Sequence, residues 1–201
     1  MNDARTPLDA FPPAAPLPDR SFEALLARHG APVLLGKKPA ALFAGPLPRG
    51  LGSPVPGSSV PGRGDLRFLS LARPGRNPLV FVFRPVLLAR SLEDPQVKRA
   101  LGCFGYPVAA GPEALLRCLE GRLRKGREFP HEIGFFLGYP PPDVLGFIHH
   151  RGARCKLCGP WKVYGDVERA AALFEEYAGC RRRLLEHLQG GGSVFDGELP
   201  P

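Results

Sequence analysis

The stretch Glu128–His150, EFPHEIGFFLGYPPPDVLGFIHH, decides how the second half of the chain is read. Phe129-Pro130 leads into His131 and Glu132, a short apolar run follows, and Gly138-Tyr139-Pro140 breaks it. An apolar run of that length suits a strand packed on both faces, so the reading predicts a strand over EIGFFLGY. Pro140 to Pro142 come next, and proline is accepted in the first turn of a helix, so PPDVLGFIHHRG reads as a helix. On a strand, His131 and Glu132 would point to opposite faces, which separates them as an acid–base pair. His131 then either serves a site at an exposed strand end or holds the turn through a ring N–H.

Outward from this stretch, other segments carry start and stop signals. Asp94-Pro95 opens a helix over QVKRALGCFGYP, and Gly111-Pro112 opens one whose Leu115, Leu116, Leu119 and Leu123 share a face. Asp166 caps the longest helix, DVERAAALFEEYAGCRRRLLEHLQ, and a run of glycines ends it. Upstream, DLRFLSLAR and PLVFVFRP read as an antiparallel hairpin across PGRN, with Leu79–Phe83 as a central strand. Ser21 is the candidate cap of a helix over SFEALLARHG. APVLLGKKPAALFAG, broken by Gly36 and Pro39, suggests two short helical turns. A short strand is expected around Lys156 to Tyr164.

This order predicts an α+β fold, a single domain with a small mixed or antiparallel sheet packed by helices. The expected boundaries are a disordered Pro/Ala-rich tail over residues 1–20, a domain over 21–190 and a loose tail over 191–201. A Pro/Gly-rich flexible insertion interrupts the domain at 45–64. A chain of 201 residues, 44% hydrophobic and 23% charged, is long enough for one real core.

The formal charge is +8. Basic clusters lie at Arg117, Arg122, Arg124, Lys125 and Arg127, and at Arg181–Arg183. Without an accompanying nucleic-acid motif or interleaved aromatics they read as solvated helix faces, so nucleic acid is not the expected partner. The N-terminus lacks a signal-peptide pattern and no apolar run reaches bilayer length, so no membrane insertion is expected. The expected compartment is the cytoplasm, with the five cysteines reduced.

FPHEIGFFLGYPPPDVLGFI, CGPWKVYGD and ALFEEYAGCRRRLL, taken in order, resemble the bacterial family known as domain of unknown function 3793. RHGAPVLLGKKPAALF is similar to that family's opening helix and its continuation. The resemblance covers about residues 21 to 190, apart from the Pro/Gly loop, and implies no established activity. Many members of that family read His-Cys-Ala-Pro where this chain has His29-Gly30-Ala31-Pro32. If that cysteine serves as nucleophile or ligand in relatives, this chain has lost it.

A cysteine at a helix start followed by a histidine-led strand is the order of papain-like hydrolases. Here His131 is a candidate base, but Gly30 at the nucleophile position offers no thiol, so no catalytic residue is assigned. Cys155 and Cys158, with His149 upstream, are a weak metal set for zinc or iron. A second pair of ligands is not evident, and no cofactor is expected. A redox CxxC lies at the start of a helix after a strand, which CGPW followed by KVYGD does not offer, so the two read as buried or edge thiols. On WKVYGD, Trp161 and Val163 would face one way and Lys162 and Tyr164 the other. Trp161 and Tyr164 read either as core packing or as a ligand platform. His131, Trp161, Lys162 and Tyr164 are the candidate ligand-binding residues, and Lys37 and Lys38 are further candidates for anion contact. The functional expectation is a non-enzymatic binding or regulatory module for a small anionic ligand or a protein partner. The alternative is an inactive hydrolase relative.

Overall fold

The computed structural model describes residues 22–48, 51, 65–71, 77–125, 128–197 and 199. The expected tail over 1–20, the Ser21 cap, most of the 45–64 insertion and the first part of the PGRN turn lie outside these residues.

Helix α1 (Phe22–Leu34) runs through Gly30 and Pro32 instead of stopping at His29-Gly30. It stops where Gly36 takes a left-handed backbone, φ 70°. The Gly36 N–H bonds the Val33 carbonyl and the Lys37 N–H the Pro32 carbonyl, the paired bonds that end many helices. Arg84 secures the same end, its Nε and Nη2 each donating at 2.6 Å to the carbonyls of Val33 and Leu34. The two short turns expected over APVLLGKKPAALFAG are therefore corrected. The first half continues α1, and Pro39 leads into strand β1 (Ala40–Ala44).

β2 (Arg67–Leu71) and β3 (Leu79–Phe83) follow, and the antiparallel sheet has the order β1-β3-β2. β3 is central and buried along its whole length, as its unbroken apolar run predicts. Strand alternation gives the sheet two cores. Ala40, Leu42, Leu79, Phe81 and Phe83 face a cluster built from the helices after β3, while Ala41, Phe43, Val80 and Val82 face α1 and the end of the last helix.

After β3 come α2 (Pro85–Leu92), α3 (Pro95–Cys103), a 3-10 turn at Val108–Ala110 and α4 (Pro112–Lys125). The Asp94 side chain accepts from the N–H groups of Gln96 and Val97, so the Asp-Pro start acts as expected. α2 had no counterpart in the sequence reading, which carried the strand to Pro85. Pro85 is the first residue of a helix that buries Leu88 and Leu92, one turn apart.

The stretch EIGFFLGY is a correction. It forms a tight helical segment, α5 (Ile133–Phe136), begun by bonds from the Ile133 and Gly134 N–H groups to the Pro130 and His131 carbonyls. Ile133 to Phe136 are all buried, so no polar position reveals a period of 2 or 3.6, and an apolar run this short fits either element. Gly138 (φ 74°) ends it: the Gly138 and Tyr139 N–H groups bond the Phe135 and Gly134 carbonyls.

The proline-led helix is α6 (Pro141–His149). The expected strand around Lys156 to Tyr164 is a small antiparallel hairpin, β4 (Leu157–Cys158) with β5 (Lys162–Val163). α7 (Val167–Gln189) is capped by Asp166. Its first half packs on Trp161 and Val163, and its second half places Cys180 and Leu184 against the α1 side of the sheet. Beyond Gly190, Val194 is fully buried in that same core, and Glu23 accepts from the Ser193 hydroxyl (2.7 Å) and the Val194 N–H (2.9 Å). The whole is an α+β domain with helices on both faces of one antiparallel sheet. No helix among the described residues is long and apolar enough to cross a membrane.

Candidate functional site

Helices α5 and α6 and the β4–β5 hairpin enclose a cleft of about 290 Å³. Leu42, Ile133, Leu137, Val144, Phe147 and Trp161 form its apolar walls, and His131 and Lys162 bring the basic groups. The volume lies near the lower end of small-molecule sites, which run from roughly 300 to 1,000 Å³.

Trp161 is the side chain the cleft is built around. Tyr139 stacks on its ring with centroids 4.8 Å apart and planes 24° apart, and Phe174 meets it edge-on at 4.5 Å. The indole Nε1 donates to Asp143 Oδ2 at 2.8 Å. Asp143 is a buried carboxylate with 2% exposure, and its other oxygen accepts from the N–H groups of Tyr164 (2.8 Å) and Gly165 (2.7 Å). A buried charge is tolerated where hydrogen bonds replace its water, and three N–H donors do that here. One carboxylate on the first turn of α6 thus fixes the indole and the end of the hairpin together.

Lys162 and Val163 alternate across β5 as predicted: Val163 is fully buried and Lys162 half-buried. Lys162 Nζ donates to the Gly152 carbonyl at 2.7 Å, which ties the hairpin to the loop after α6. His131 is exposed at the mouth, its ring 4.9 Å from that of Phe147 and 6.0 Å from that of Phe129.

Tyr164, also nominated from sequence, is not among the cleft residues. Its ring stacks on His150 at 5.7 Å, and its hydroxyl is enclosed with no hydrogen-bond partner among the described residues. Lys37 is exposed and pairs with Glu176 at 3.3 Å. Lys38 is buried, its ammonium over the rings of Tyr139 (4.7 Å) and Tyr177 (5.8 Å), and burial pushes its pKa down to about 7.

His131 and Glu132 part company, as expected, although a helical turn and not a strand separates them. Glu132 is buried and accepts from Arg122 Nη1 (2.9 Å) and the Tyr106 hydroxyl (3.1 Å), while Arg122 Nη2 also donates to the Phe104 carbonyl. Burial first, and then the Glu132 carboxylate, push the Tyr106 hydroxyl well above its ordinary range. Arg122 therefore belongs to an internal pair, and Arg124 pairs with Glu120 along α4.

No hydrogen bond joins His131 to a thiol, hydroxyl or carboxylate among the described residues. A Cβ at Gly30 would meet Leu26 (2.7 Å) and Val82 (3.5 Å), in the core on the opposite sheet face from Leu42 and the cleft. A side chain at position 30 and His131 therefore do not share a site. Cys155 and Cys158 touch, Sγ to Sγ 2.9 Å. His149 packs edge-on against His150 at 4.7 Å, and no group of at least three His, Cys, Asp or Glu side chains converges on a metal position among the described residues.

The residues the sequence reading missed are Tyr139, Asp143 and Phe147. The proline run before Asp143 marks a helix start, where a carboxylate serves as an ordinary first-turn acid. Its real partners sit on the following hairpin, out of reach of any local pattern.

Several segments that carry the family resemblance meet at this place: Lys38 from GKKPA, Tyr139 from LGYP, and Trp161 from GPWKVY. No curated protein and no solved structure matches the chain significantly. The family model described as "Protein of unknown function (DUF3793)" matches residues 26–196, which is most of the sequence, and the chain belongs to that family.

Proposed function

We propose that the chain is a binding module whose cleft takes a small ligand with an apolar body and one anionic group. The observation that carries this reading is the convergence of His131, from the turn before α5, with Trp161 and Lys162, from the β4–β5 hairpin, on one apolar cleft. Apolar walls supply the affinity for the body of a ligand by removing it from water. The two basic side chains select for charge, because a hydrogen bond to an ionised group is roughly twice as strong as a neutral one. Asp143 also borders the cleft, but both its oxygens are taken up by N–H donors, so the basic side chains are the groups that offer a ligand a charged contact.

A small ligand is favoured over a protein partner by the surface. Val86 and Leu145 are the exposed large hydrophobics among the described residues, and they lie on different helices. An apolar docking face would gather such residues into one patch.

Thermal-shift measurements with a panel of small carboxylates (benzoate, phenylacetate, hexanoate) and their neutral alcohols test the reading. The expected result is stabilisation by at least one carboxylate, lost in Lys162→Gln. A panel that leaves the unfolding temperature unchanged, or in which alcohols match their carboxylates, overturns it.

A further inference from the structure

The hairpin that carries Trp161 and Lys162 also carries two thiols in contact. Cys155 and Cys158 Sγ atoms are 2.9 Å apart, one hydrogen-bonded to the other. A disulfide holds its sulfurs at about 2.05 Å, so bond formation asks for a movement of roughly 1 Å or less. The backbone around them is fixed from both sides. Arg154, immediately before Cys155, is held in the left-handed region at φ 58°, and Cys158 is registered against Lys162 in the β4–β5 ladder. Cys158 is exposed and Cys155 half-buried, so a reagent from solution reaches the pair at Cys158. Cys103, Cys118 and Cys180 lie elsewhere, on α3, α4 and α7, and Cys180 is fully buried.

We propose that Cys155 and Cys158 form a reversible dithiol–disulfide site that exchanges with low-molecular-weight disulfides, R–S–S–R. The Cys158 thiolate attacks one sulfur of the disulfide; a Cys158–S–R bond forms, the S–S bond breaks and one R–S⁻ leaves. Cys155 then gives its proton to the departed thiolate or to water, and its sulfur attacks Cys158 Sγ. The Cys155–Cys158 bond forms and the second R–S⁻ leaves. The protein dithiol loses two electrons and the small disulfide gains them, ending as two thiols. The hydrogen bond to Cys158, followed by burial, raises the Cys155 thiol above its ordinary pKa, which suits the sulfur that acts second.

The test uses the full chain with oxidised glutathione, quenched by alkylation and read by intact mass and peptide mapping. The wild type is expected to lose two alkylatable thiols and to give a 155–158 cross-link. Cys155→Ser should accumulate glutathione on Cys158, and Cys158→Ser should react about tenfold more slowly at Cys155. Thiols that stay alkylatable in the wild type, a wild-type mixed disulfide that never resolves, or equal rates in the two serine variants would each overturn the proposal.

Discussion

The Lys38 ammonium lies 4.7 Å from the centroid of the Tyr139 ring, and Tyr139 in turn stacks on Trp161. This contact joins the turn between α1 and β1 to the end of α5, two parts of the chain about a hundred residues apart, directly behind the cleft. Pro39 completes the junction by packing on Gly138.

The buried amine gives the fold a pH signature. Below pH 7, Lys38 is protonated both folded and unfolded. Between about 7 and 10.5 the unfolded chain holds a proton that the folded chain has released, so stability rises with pH across that interval. Tyr139 and Tyr177 act oppositely above pH 10, because burial raises both and they ionise first in the unfolded chain. Urea unfolding from pH 6.5 to about 9.5 spans the lysine's interval, and subtracting the Lys38→Met profile removes what His29, whose pKa burial pushes down, and Cys155, whose thiol is pushed up, add to both chains. Lys38→Met is expected to flatten the slope and to add on the order of 3 kcal/mol at pH 6.5, the two rings offsetting part of the larger burial penalty. A slope unchanged in the variant contradicts this role.

Gly138→Ala tests the junction by sterics. A Cβ there would sit 2.5 Å from Pro39 Cγ, on a backbone at φ 74° that side chains disfavour. Both costs fall on one residue, so a loss of about 3 kcal/mol is expected in chemical denaturation. A loss below about 1 kcal/mol would mean that Pro39 and the turn move apart freely.

Asp143 offers a graded series. Asp143→Asn keeps one carbonyl oxygen for the Tyr164 and Gly165 N–H groups and strands the Trp161 indole, for a cost of about 1–2 kcal/mol. Asp143→Ala strands all of these donors in a buried place and should cost about 4 kcal/mol. Thermal unfolding gives the order, and a shift in tryptophan emission in the Asn variant reports the freed indole. Equal stability of the two variants would show that the carboxylate does not organise the hairpin.

What the sequence made legible follows from how locally each feature is encoded. Asp94-Pro95 and Asp166 announce their helices because a cap acts within three residues. β3 is recognisable because a central strand needs apolar residues on both faces. α5 fails by the same rule, since its burial on every side erases the period that would distinguish helix from strand. α1 runs past Gly30 because tertiary packing against β3 and α7 outweighs glycine's low helix propensity. In the site, His131, Trp161 and Lys162 stand out as polar or amphipathic groups at element edges. Tyr139 and Asp143 take their roles from partners on the β4–β5 hairpin, and only the folded geometry shows them.

The most direct test of the binding claim uses Trp161, the only tryptophan in the chain and a wall of the cleft. Its emission is followed while phenylacetate, and separately 2-phenylethanol, is titrated into the wild-type protein. A saturable change with phenylacetate at about tenfold lower concentration than with the alcohol is the predicted result. An emission that responds to neither compound, or to both at the same concentration, would contradict it.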